Sequence, residues 1–190
     1  MKFITLPNLG VLEHRIPKSL LESLREQSKM LMKRKYTKEM KSNLVGNRPL
    51  HLFLEDTKDL FKEITKMMDA YETQYNYIKD IHMLSHSRKL IFGKPWVNIQ
   101  KDDQYIPNHT HDGVFAYSCW IEAPYSTIFE FSYNNILGLN CRQQREIGPM
   151  EEGKIILFPS TLVHCTYTLE KSKKKRLCIS GHVSFNTENK

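Results

Sequence analysis

The chain has 190 residues, of which 40% are hydrophobic and 26% charged, which suits one globular domain with a real core. No apolar run reaches the length of a membrane span, there is no internal repeat or low-complexity linker, and the segment Met1–Pro7 lacks the apolar region of a signal peptide, so a cytoplasmic setting is expected. The net charge is +7 with a pI near 9.2, but the lysines are spread along helices and loops, so nucleic acid or an acidic substrate stays open as a partner and is only weakly indicated.

The first fifteen residues alternate apolar and polar through Phe3, Ile4, Leu6, Leu9, Val11 and Leu12, which reads as an edge strand pair about the turn at Pro7–Gly10. Pro17 suits the first turn of a helix. Leu20, Leu21, Leu24 and Leu31 follow at helical spacing to about Lys35. Residues 36–55 show no single pattern, and within them Asn43–Pro49 looks like a loop crossing the core. Asp56 or Thr57 can cap a second helix over about 57–80, with Asp59 in its first turn. Its stripe is Leu60, Phe61, Ile64, Met67, Met68, Tyr71, Tyr75 and Ile78, and the methionines are core packing.

From Lys89 onward the texture changes to strands. Leu90–Gln100, Val114–Glu122, Ser126–Tyr133, Lys154–Phe158, Val163–Leu169 and Arg176–Phe185 are short runs separated by turn residues, as in a sandwich or barrel. The four cysteines, Cys119, Cys141, Cys165 and Cys178, form no C-x-x-C pair and read as free, mostly buried thiols. The expected fold class is α+β: an antiparallel double sheet, a jelly-roll or cupin-like core over 89–186, with a mainly helical support over 1–88 packed on one sheet.

His109 and His111 stand two apart, so on an extended strand they share a face. Two imidazoles on one face make part of a metal site, and His164 is the best candidate for a third ligand from another strand. Imidazole suits iron, zinc, copper and nickel alike, so the residue types do not choose the metal. Asp112 points to the opposite face of an ideal strand and reaches a metal only if the chain turns, which Gly113 permits. Arg176 lies twelve residues after His164, far enough to return antiparallel beside its strand and place a cation near the metal. Trp96, Asn98 and Gln100 alternate and share one face, where the two amides can bond an acid or a substrate. Tyr105, Tyr117 and Ser118 are further candidates for lining a pocket, and Phe115, Trp120, Phe129 and Phe131 read as core. His14, His51, His82 and His86 read as surface or structural histidines.

The segments Leu44-Val45-Gly46-Asn47, Trp96–Gln100, His109-Thr110-His111-Asp112-Gly113, Glu152-Gly153, Leu157-Phe158-Pro159-Ser160, His164 and Arg176 with Ile179-Ser180-Gly181 occur in that order. In this arrangement the chain, over about residues 43–186, resembles the phage-type members of the 2-oxoglutarate/Fe(II)-dependent oxygenase superfamily, which have a double-stranded β-helix core. The resemblance implies His109 and His164 as metal ligands and His111 in the place that is Asp or Glu in most of the superfamily. It implies Arg176 as partner of the distal carboxylate of 2-oxoglutarate, with Asn98 and Ser118 beside the same acid. Cys178 replaces a hydroxyl residue often found there, and His182 a usual Asn. The implied activity is hydroxylation of a C–H bond of an unidentified substrate, with Fe(II), 2-oxoglutarate and dioxygen consumed to succinate and CO2. The implied setting is the cytoplasm of the host cell if the chain is phage-encoded. Two other readings compete: a three-His cupin-type dioxygenase that needs no 2-oxoglutarate, and a non-catalytic jelly-roll binding or virion-accessory protein.

Overall fold

A computed structural model describes residues 9–34, 50–82, 89–168 and 174–186. The expected features at Phe3, Ile4, Leu6, 44–47 and His86 lie outside the described residues. In chain order the elements are β1 (Leu12–Arg15), α1 (Lys18–Lys33), β2 (Leu50–Phe53), α2 (Lys58–Tyr75), α3 (Tyr77–His82), β3 (Leu90–Phe92) and β4 (Trp96–Gln100). There follow β5 (Ile106–His109), β6 (Phe115–Glu122), β7 (Thr127–Asn134), β8 (Asn140–Ile147), β9 (Lys154–Pro159), β10 (Val163–Thr166) and β11 (Arg176–Phe185). The larger sheet runs β1-β9-β6-β11-β4-β2, with β3 also on β11, and the smaller runs β5-β10-β7-β8. All pairings are antiparallel. The two sheets face each other as a double-stranded β-helix, the jelly-roll expected from the sequence, and helices cover the outer face of the larger one.

The helices form because each carries one apolar stripe. Leu20, Leu24 and Leu31 of α1 and Leu60, Ile64, Met67, Met68 and Tyr71 of α2 are buried. They pack on Val97, Ile99, Tyr117, Cys119, Ile121, Leu157, Leu177 and Ile179 of the sheet in one core. Phe61 stacks on Phe92 with ring centroids 4.2 Å apart. Arg25 fastens α1 to the sheet by donating to the Ile121 carbonyl and pairing with Glu152. Between the sheets lies a second core of Ala116, Trp120, Phe129, Phe131, Ile156 and Phe158.

Two expectations change. The helix read over 57–80 breaks at Asn76, which adopts left-handed geometry at φ 51°. Asn tolerates that conformation, and Glu72 accepts from the Ile78 amide at 2.7 Å to restart the chain as α3. The strand read over Leu90–Gln100 is two strands, because Pro95 offers no amide donor and the Gly93-Lys94-Pro95 link steps from the end of β11 to its middle. Within residues 36–55, whose pattern chose no element, Leu50–Phe53 forms β2 and pairs with β4. The strand pair read about the turn at Pro7–Gly10 lies largely outside the described residues; β1, which follows the turn, pairs with β9. One strand, β8, has no counterpart in the sequence reading. Its Asn-Cys-Arg-Gln-Gln-Arg-Glu-Ile carries no apolar alternation, and full-length pairing with β7 holds it.

Candidate metal centre and its pocket

His109 ends β5 and His164 lies in β10, and the two are directly paired in register. His111 lies beyond the strand. Its amide donates to the Ser160 carbonyl at 2.9 Å, while the Ser160 amide donates to the Val114 carbonyl at 3.0 Å and its hydroxyl to the Gly113 carbonyl. The Phe158-Pro159-Ser160 turn thus clamps the His-x-His turn. Gly113 sits at φ 102°, where a Cβ would strike Val183 and Ser184. The convergence of His109 and His111 therefore comes from this turn, rather than from one continuing strand as the alternation suggested.

The three imidazoles meet. Ring centroids are 4.2 Å apart for His109 and His164, 4.9 Å for His109 and His111, and 5.0 Å for His111 and His164. One ligand nitrogen from each lies within 4.8 Å of the others. The Nε2 atoms of His111 and His164 are 3.2 Å apart, the spacing expected of two ligands on one ion with bonds of about 2.1 Å. His109 donates from Nδ1 to the Pro107 carbonyl at 2.8 Å, and His164 from Nδ1 to the Leu162 carbonyl at 2.9 Å. Each bond fixes the proton on Nδ1 and leaves the Nε2 lone pair for a metal, as second contacts of ligating histidines do. Burial lowers the pKa of all three rings, that of His111 to about 3, with neighbouring imidazoles adding to the effect for His111 and His164. The rings are neutral at physiological pH, the form that binds a cation. Phe129 stacks beside His164 at 5.7 Å, and Phe158 lies edge-on at 4.8 Å.

The donor set fits a divalent transition metal. The nitrogens converge, and the tautomers of His109 and His164 are set with Nε2 turned to the cluster.

The opposite wall is the inner face of the larger sheet. Arg176, Cys178, Ser180 and His182 alternate along β11, with Asn98 and Trp96 on β4 and Ser118 on β6 at their sides. Together with the histidines they enclose a cavity of about 330 Å³. Trp96 Nε1 donates to Asn98 Oδ1 at 3.1 Å, Asn98 Nδ2 donates to Ser180 Oγ at 2.9 Å, and Ser180 and Ser118 share a hydroxyl contact at 3.1 Å. This network is satisfied internally and stiffens the floor.

Arg176 is different. It is 2% exposed, and its Nε and Nη1 have no hydrogen-bond partner. Burial lowers its pKa to about 10, so it remains charged at neutral pH. A buried guanidinium with open donors is costly unless an anion meets it. Its planar fork matches a carboxylate.

The sequence placed most of these groups on the right wall. Asn98, Ser118 and Trp96 line the cavity as expected, but Arg176 is on the sheet facing His164, not on a strand beside it. Gln100 turns away from the cavity lining, donating to the Gln104 and Tyr167 carbonyls at 2.6 and 2.8 Å. Tyr117 does not line the pocket: one residue from Ser118, it faces the helices, where it abuts Gly181. Tyr105 is exposed on the outside of the smaller sheet. Asp112, expected on the opposite face, stands exposed at the cavity rim with its charge acting on His182. Phe115 and Phe131 are core as read, whereas Trp120 and Phe129 are both core and cavity wall. His51 was read as surface or structural, yet it is buried beside Trp96 and lines the cavity. Its only sequence signal was alternation in a strand whose partner was unknown. His14 is structural, contacting Glu63 at 3.2 Å.

No family model matches the sequence, and no curated protein matches it. Solved structures do resemble the fold. SnoK, a non-heme alpha ketoglutarate dependent carbocyclase from nogalamycin biosynthesis, superposes with a TM-score of 0.66 at 7% identity, over 94% of this chain and 80% of that one. A Pseudomonas putida prolyl-4-hydroxylase gives 0.60 at 10% identity, over 94% and 92%. The viral collagen prolyl hydroxylase of Paramecium bursaria Chlorella virus-1, in a 2OG complex, gives 0.56 at 12% identity, over 91% and 94%. At such identities the likeness is one of fold.

Proposed function

We propose that this chain is a non-haem Fe(II)- and 2-oxoglutarate-dependent oxygenase acting on a second, unidentified substrate. The observation that supports it most is the pairing of a neutral three-imidazole cluster with a buried, unpartnered guanidinium across one cavity. A metal at His109, His111 and His164 would bind the keto acid and activate dioxygen, with decarboxylation to succinate and CO2 driving oxidation of the substrate.

The chain's own residues supply the setting. Arg176 offers Nε and Nη1 to the distal carboxylate, which sets the acid's direction in the cavity. The Asn98–Ser180–Ser118 network fixes the wall along which the acid lies, and the neutral Cys178 thiol, its pKa raised by burial, adds a weak donor there. Phe129, Phe158 and Trp120 exclude water from the metal side. The chain shares its fold with a carbocyclase and with prolyl hydroxylases, which supports the class of chemistry without choosing a substrate.

A second reading has one observation in its favour: the third nitrogen ligand stands where a carboxylate is usual, as in three-His dioxygenases that need no keto acid. Arg176 would then bind the substrate directly. Anaerobic titration of the Fe(II)-loaded protein with 2-oxoglutarate separates the two. A metal-to-keto-acid charge-transfer band, followed by succinate release on admitting air, is expected. Absence of both would favour the three-His dioxygenase.

A further inference from the structure

Resting on the 2-oxoglutarate reading, we propose that the primary substrate brings an anionic group, a carboxylate or a phosphate, to the metal side of this cavity. The inference follows from which charges the cavity holds. Its lining contains a buried guanidinium, five imidazoles and, among the described residues, a single carboxylate, Asp112. Asp112 is exposed at the rim, so water screens its charge. Glu130, though buried, belongs to the other face of the smaller sheet, where it accepts from Gln144 and Tyr167 and pairs with Arg142.

A divalent ion on three neutral nitrogens keeps its full charge, whereas a carboxylate in the third place would remove one unit. The two charges of the ion and the one of Arg176, set against the two of 2-oxoglutarate, leave one positive charge unmatched. It lies in a cavity walled by Trp120 and Phe129. In such a partly desolvated site an uncompensated charge is costly, and the next ligand to enter is selected for the opposite sign.

The direction of entry is legible along β11. Arg176, Cys178 and Ser180 are 2%, 6% and 7% exposed, and His182 is the partly open one. Arg176 and His182 are six residues apart, roughly 20 Å on a strand, so the acid's anchor is at the closed end and the substrate enters past His182 and Trp96. The link that carries Lys94 runs beside this mouth, since a Cβ on Gly93 would meet the His182 ring. The net charge of +7 would draw anions toward it.

The test uses the full chain loaded with Co(II) and 2-oxoglutarate under nitrogen, with the visible cobalt bands as readout. Benzoate and phenyl phosphate are titrated against uncharged benzamide, and azide serves as a small inorganic anion. The expected result is that benzoate or phenyl phosphate binds at least about tenfold more tightly than benzamide, the scale of one unit charge at short range. In His111→Asp, once cobalt loading is confirmed, that preference should disappear. The wild-type comparison stands even if the variant loads poorly. Equal binding of benzoate, phenyl phosphate and benzamide would overturn the proposal. Binding of azide without either organic anion would also overturn it, by assigning the charge to an inorganic ligand. If 2-oxoglutarate itself leaves the cobalt bands unchanged, the proposed function falls first, and the charge count falls with it.

Discussion

The two faces of β11 are built from alternate residues of one strand, yet they obey different rules. Leu177, Ile179 and Val183 point to the helices and are fully packed in the larger core. Arg176, Cys178 and Ser180 point to the cavity, where the side chains are polar and one of them has open donors. The helix-side face gains stability from apolar area removed from water. The cavity face gives some of that up to hold a charge and a hydroxyl network. The same ten-residue strand therefore separates folding from function by the parity of residue number.

Substitutions on the two faces should register in different measurements. The largest effect on stability is expected at Ile179→Ala, which leaves a hole beneath the helices and should lower unfolding free energy by about 2–5 kcal/mol. Urea denaturation measures it, and metal affinity of the folded protein should be unchanged. His164→Ala, on the opposing sheet, should do the reverse. Metal affinity should fall by more than about a hundredfold, the upper end of what loss of a supporting contact alone costs, with little change in the urea midpoint. Wild-type affinity in that variant would remove His164 from the site.

Arg176 sharpens the contrast. Arg176→Lys should weaken 2-oxoglutarate by roughly ten- to hundredfold in the Mn(II)-loaded protein, because a point charge replaces a bidentate fork, at about 1.5–3 kcal/mol for a charged hydrogen bond. Arg176→Met should abolish acid binding yet leave the unliganded protein as stable as wild type or more so, since it removes an unpartnered buried charge. Loss of stability in Arg176→Met would show that the guanidinium supports the fold. The smallest effect is expected at Asp112→Ala. Asp112 is exposed and outside the three-nitrogen cluster, so metal occupancy, read by atomic absorption after gel filtration, should match wild type.

Strand order and pairing explain which features were legible beforehand. The stripes of α1 and α2 needed only their own residues, because a helix satisfies its backbone internally and shows its buried face as a period in the chain. A strand has no such independence. β2 and β8 are held by the hydrogen bonds that β4 and β7 supply; β2 is a four-residue run too short to be read alone, and β8 shows no apolar alternation. The place of His51 on the cavity wall shows only once β2 has its partner, and Tyr117 was misplaced because one residue of register moves a side chain to the other face.

What the sequence determined by itself was the chemistry on offer: three imidazoles, a guanidinium twelve residues past His164, and an alternation that put Arg176, Cys178 and Ser180 on one side of their strand. Tertiary structure decided that these groups oppose each other across a cavity, with His164 on one sheet and Arg176 on the other. It also decided that a clamped turn, not a continuing strand, brings His111 to its partners, and that the guanidinium is buried with donors unused. The physical reason is that ligand convergence and desolvation are properties of surfaces brought together. Two sheets must close over the same space before an imidazole loses its proton to burial or a guanidinium lacks water to bond.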